Sequence, residues 1–170
     1  MDKSIIELLK TRLDEMAILS FSQKPILIGG LAMEYYGLRK AGSDIDLVIC
    51  NEDYHSLAEK YPKNRKDIWG DLGVVIGPFE IWRCIMLLDY DFYLKGAIEE
   101  EYVYVVSMEK LTIMRIFGIE ISKYYEDLKL IGDYYVNNNR NKEYLKEAEK
   151  HFNSYKNSDG GVIYGGKYID

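Results

Sequence analysis

Ile5, Ile6, Leu9, Leu13, Met16 and Leu19 recur at helical spacing among charged residues, a pattern that predicts an amphipathic helix over residues 2–20. Pro25 then opens a short apolar run, residues 26–28, too brief for a helix and followed by Gly29 and Gly30. Strand and then tight turn is the expectation. Residues 31–37 read as a helix that Gly37 stops, residues 44–50 alternate acid and aliphatic side chains as a strand does, and Asn51 is placed to cap a helix over 52–61. Residues 60–66, KYPKNRK, form a basic loop. Two β-prone runs, 72–76 and 79–88, flank Gly77-Pro78 and read as an antiparallel hairpin. A further strand is expected at 102–106, then Ser107 as the cap of a helix over 108–117. Helices at about 121–136 and 141–155 lie on either side of the break VNNNRN.

This order predicts an α/β (α+β) protein with a small mixed β-sheet flanked by helices. The expected organisation is a core over 1–106 that includes the N-terminal helix, a helical segment over 107–155 packed on it, and a flexible glycine-rich tail over 156–170. Composition adds limits. No apolar run approaches the roughly 18 residues that a membrane span needs, and MDKSIIELLKTRLDEM lacks the apolar core and cleavage site of a secretory signal. The expectation is a cytoplasmic protein with no membrane partner. A net charge of −6 argues against a strong non-specific hold on nucleic acid. Cys50 and Cys84 sit in apolar runs without zinc-ligand spacing, as reduced core residues would. His55 and His151 have no companion at metal spacing and read as helix-surface residues.

The chemistry concentrates in GGLAMEYYGLRKAGSDIDLVI, residues 29–49. Asp44 and Asp46 are two apart in a strand, so both point to one face, roughly 7 Å apart at the backbone, while Ile45, Leu47 and Ile49 face the core. Neighbouring carboxylates repel unless a cation joins them, and a hard ion such as Mg²⁺ takes one or two carboxylates and keeps positions for water and phosphate. A glycine pair between strand and helix lets backbone amides approach an anion. Arg39 and Lys40, between the helix and the aspartates, are also placed to meet phosphate. A third carboxylate is sought for a metal-assisted phosphoryl transfer. Glu80 is the choice, because it interrupts an apolar strand expected beside the aspartates and an acid there needs a partner. Asp71, Asp89 and Asp91 are its rivals.

Gly29-Gly30, a helix, and then Ser43-Asp44-Ile45-Asp46-Leu47 resemble the glycine element and D-x-D strand of the nucleotidyltransferases of the polymerase-beta-like fold. The likeness is to small bacterial members of the antitoxin-like and abortive-infection type. VSMEKLTIMRIFGIEISKYYEDLKLI, residues 106–131, is similar to the helical segment that follows the core in many of them. The resemblance implies that Asp44 and Asp46 ligate two Mg²⁺ ions and that Glu80 completes the second position, with the role of base open to it. It implies that Gly29 and Gly30, with Ser43, Arg39 and Lys40 nearby, bind a nucleoside triphosphate. A nucleoside monophosphate would pass to a hydroxyl acceptor, small molecule, RNA or protein, with release of pyrophosphate. Gly30 stands where many members carry Ser. The alternative is a non-enzymatic module of the same fold, such as a toxin-antitoxin component, with the tyrosine-rich C-terminal helices as its interface to a protein partner.

Overall fold

The computed structural model describes residues 20–68 and 70–138, together with Thr11, Lys146, Lys150 and Asn153. The helices expected over 2–20 and 141–155 and the tail over 156–170 lie outside the described residues. The chain divides into two compact units, Met1–Ile131 and Gly132–Asp170, and the site lies within the first.

Eight short strands are described: β1 (Ile26–Leu27), β2 (Ile45–Val48), β3 (Gly73–Ile76), β4 (Phe79–Trp82), β5 (Cys84–Ile85), β6 (Leu88–Asp89), β7 (Ile98–Glu99) and β8 (Tyr104–Val105). The described helices are α1 (Gly29–Tyr35), α2 (Asn51–Lys60), α3 (Tyr90–Leu94), α4 (Met108–Phe117) and α5 (Ser122–Asn138). Six strands form one mixed sheet in the order β3-β4-β2-β1-β8-β7, and β5 and β6 form a separate hairpin. The expected mixed sheet with helices is therefore present. β1 and β2 run antiparallel with Leu27 opposite Leu47, while β2 and β4 run parallel with Asp46 opposite Glu80. Ile26, Leu27, Leu47, Phe79, Ile81 and Val105 are fully buried and form the sheet's part of the core. Among the described residues no helix is long and apolar enough to cross a membrane.

Several expected boundaries move for identifiable reasons. The glycine pair does not form a turn separate from the helix, because α1 begins at Gly29 itself. At its far end Gly37, at φ +73°, closes a Schellman motif, with its own amide donating to the Glu34 carbonyl at 2.8 Å and the Leu38 amide to the Met33 carbonyl at 3.0 Å. Asn51 is the first residue of α2 and not its cap; Cys50 precedes it without a side-chain capping bond. Ser107 does cap α4, its hydroxyl accepting from the Lys110 amide at 3.4 Å. The single strand expected over 79–88 breaks after Trp82, and the chain makes a second hairpin through Met86 (φ 55°) and Leu87 (φ 61°).

Asp71 holds that hairpin. Its two oxygens accept from the Met86 amide at 2.9 Å and the Leu87 amide at 3.0 Å. A left-handed conformation at two non-glycine residues costs energy, and two charge-assisted bonds offset it. Asp71→Ala is expected to lower stability by about 1–3 kcal/mol in urea denaturation through the loss of these acceptors.

Candidate functional site

The site is built around Asp46. The alternation of β2 buries Ile45 and Leu47 on one face and turns Asp46 to the other, under the first turn of α1. Gly29 makes this possible, because a Cβ there would stand 2.0 Å from the Asp46 Oδ2, and its φ of +66° suits glycine. The Gly30 amide donates a hydrogen bond to the same carboxylate. Burial holds the Asp46 carboxyl above its usual range, and the negative charges of Glu80 and Asp44 push it further up. Arg115 and the Gly30 amide act in the opposite direction.

Glu80 lies where the sequence places it, in register with Asp46 on the adjacent parallel strand. Its expected partner proves to be Lys66, whose Nζ lies 2.7 Å from the Glu80 Oε1 and also over the Trp82 ring. Lys66 is thus the residue of the basic loop that reaches the site. Asp44 is exposed just before β2 and accepts from the Ser43 hydroxyl at 2.8 Å. The rivals of Glu80 have local roles: Asp71 holds the second hairpin, Asp89 caps α3 by accepting from the Phe92 amide at 3.1 Å, and Asp91 lies in the first turn of α3.

Arg39 and Lys40 are both engaged. Lys40 pairs with Glu34 at 2.7 Å, and Arg39 grips Asp127 of α5 through Nε at 2.5 Å and Nη2 at 3.0 Å. The other Asp127 neighbour is Arg115 of α4, whose Nε is 2.8 Å from Oδ2. That second contact is an ion pair without an in-line hydrogen bond. The Arg115 guanidinium also stacks on the Tyr124 ring, 4.6 Å from its centre. Arg115 and Asp127 are almost completely buried, at 3% and 1% exposure. Lys123 is exposed, as is His55; Cys50 and Cys84 are buried free thiols.

Asp127 is the residue that sequence reasoning missed. Its signal was present: it shares the buried stripe of α5 with Ile131, four residues on, and an acid in such a stripe demands a cation. Comparison with known protein families and with characterised proteins finds no match for this chain.

The carboxylates suit a hard divalent cation in charge and in donor type. Among the described residues no group of three or more His, Cys, Asp or Glu converges as a preformed metal cage. Mg²⁺ does not require one, since it is commonly held by one or two carboxylates and the substrate's phosphates. The negative charges of Glu80 and Asp44 beside Asp46 are a repulsion that a cation would relieve.

Gly29→Ala is expected to cost about 2 kcal/mol or more by thermal denaturation, from backbone strain and the clash with Asp46. Gly30→Ala should be nearly neutral, because a Cβ there meets nothing closer than 3.8 Å. For Asp46 the folded-state pKa lies above the unfolded one, so the native protein binds more protons between the two values and loses stability as pH rises through that window. Asp46→Asn should therefore raise Tm by about 2–5 °C at neutral pH. The gain should shrink as pH falls toward about 4. A gain that does not vary with pH would show that charge is not its cause.

Proposed function

We propose that the chain is a Mg²⁺-dependent nucleotidyltransferase that moves a nucleoside monophosphate from a nucleoside triphosphate to a hydroxyl acceptor. The observation that carries this reading is the direct pairing of Asp46 with Glu80 across β2 and β4, with Asp44 two residues upstream and the Arg115 charge acting on Asp46. Asp44, Asp46 and Glu80 would hold the metal. Bound Mg²⁺ would supply charge neutralisation at the triphosphate and a lowered pKa at the acceptor hydroxyl.

The protein's own groups do the remaining work. Arg39, gripped by Asp127 along its Nε–Nη2 edge, offers the donor capacity left on its Nη1 side to phosphate oxygens. The Gly30 amide and Arg115 favour the ionised form of Asp46 against its burial, and metal binding needs that form. Lys66 neutralises Glu80 before the metal arrives. Ser43 orients Asp44 through its hydroxyl.

A second reading, a binding module of the same fold, draws on the exposed apolar residues Ile116, Phe117, Ile119, Ile121 and Tyr125 around the α4–α5 turn. Such a patch suits a protein partner. Incubation of the protein in cell lysate with each α-labelled nucleoside triphosphate and Mg²⁺ separates the two. Transfer of label to an acceptor with release of pyrophosphate is expected, reduced to background by a joint Asp44→Asn, Asp46→Asn change. Wild-type transfer by that double variant overturns the enzymatic reading, and so does the absence of labelling with all four nucleotides.

A further inference from the structure

Arg39 presents two edges to its surroundings. The Nε–Nη2 edge is held by Asp127, and Nη1 donates to the Lys40 carbonyl at 3.0 Å. A guanidinium has five N–H donors, so protons on the Nη1 side remain. That side faces the space over Gly30: a Cβ built at Gly30 would find Arg39 Nη1, the Gly42 amide nitrogen and the Ala41 Cα each at 3.8 Å and nothing nearer. The absent side chain thus leaves room beside a guanidinium and a backbone amide, next to the carboxylate of Asp46. Arg39 is partly exposed, at 22% of its side chain, whereas Asp127 is closed off at 2%. Asp127 itself cannot touch a ligand, but the group it grips can.

We infer that Asp127 is the positioning residue of this site. Its carboxylate aims Arg39 at the space over Gly30, so that a phosphoryl group of the substrate enters between Arg39 and the Gly42 amide. The inference rests on the nucleotidyltransferase reading and adds a residue of α5 to it. It also accounts for Gly30 where a hydroxyl-bearing side chain would occupy part of that space. A single carboxylate shared by two arginines leaves one positive charge uncompensated within the triad, which suits it to an anion. An arginine fork held along one edge loses little further freedom when its other edge binds.

The test uses Mg²⁺-saturated inorganic tripolyphosphate, a probe that does not depend on base preference, with the full chain in isothermal titration. Asp127→Asn is expected to weaken binding at least about tenfold, the scale of one charge-assisted bond. In an Arg39→Gln background the same Asp127→Asn change should weaken it less than about twofold further, because its effect passes through Arg39. A merely structural Asp127 would weaken binding equally in both backgrounds, and that result overturns the inference.

If Asp127→Asn does not fold, Arg39→Lys decides. An ammonium keeps the charge but cannot grip Asp127 along an edge and reach the Gly30 space together, so its affinity should fall within about threefold of Arg39→Gln. Wild-type affinity in Arg39→Lys overturns the inference and leaves the nucleotidyltransferase reading standing. Failure of the wild type to bind Mg²⁺-tripolyphosphate and all four Mg²⁺-nucleoside triphosphates overturns both.

Discussion

A half-buried carboxylate packed against a glycine backbone is the constraint on which this structure turns. Asp46 leaves no room for any side chain at position 29, so the first turn of α1 must come down on β2 with bare backbone. An unpaired carboxylate in such surroundings is costly, and two further acids, Glu80 and Asp44, increase that cost. The Gly30 amide and Arg115 counter it. Hydrophobic packing alone gives no reason for this arrangement, since an apolar residue at position 46 would remove the repulsion. Sites that retain unfavourable charge commonly do so for function, at the expense of stability.

The counter-charge has its own dependency. Arg115 sits in the buried stripe of α4 with Met108 and Leu111, where a lone guanidinium would be as costly as a lone carboxylate. Asp127 offsets that cost and also binds Arg39 from the segment after α1. One carboxylate on α5 therefore links three parts of the chain: the segment joining α1 to β2, helix α4 and helix α5. Because Arg115 acts electrostatically on Asp46, α5 influences the ionisation of a residue it does not touch. Breaking a buried pair leaves its partner's charge uncompensated, so Asp127 carries more consequence than its own contacts suggest.

Much of this was legible in the sequence where periodicity was strong. The strand–glycine–helix unit, the hairpin around Gly77-Pro78 and the Ser107 cap were read from apolar spacing and turn chemistry, and Glu80 from the anomaly of an acid in an apolar run. The break after Trp82 was not legible, because the apolar content of 84–88 suits one long strand, and the turn through Met86 and Leu87 depends on Asp71, fifteen residues upstream of Met86. β7 and α3 are too short to show a period. That the Glu80 strand lies beside the aspartates was expected, but its parallel direction and the register of Asp46 against Glu80 are encoded in no local pattern. Arg115 and Asp127 interrupt the buried stripes of their helices, and their meeting in space makes each explain the other.

The same comparison separates structural acids from those available for chemistry. Asp71 and Asp89 accept from backbone amides, and Asp53 likewise holds the Ser22 amide with both oxygens, at 3.0 and 2.9 Å. To withdraw any of these carboxylates would leave backbone donors unpaired and would open a turn or a chain segment. Glu80 differs in kind, because its partner is the ammonium of Lys66, half-exposed on a flexible stem. An ammonium can move into water and remain solvated, so a divalent cation can replace it without disturbing any backbone hydrogen bond. Under the proposed reading, Lys66 keeps Glu80 compensated in the free protein, and Glu80 would be the carboxylate free to exchange that partner for a metal ion. The identity of a carboxylate's partner, backbone amide or side-chain cation, thus distinguishes Glu80 from its rivals more sharply than position in the sequence does.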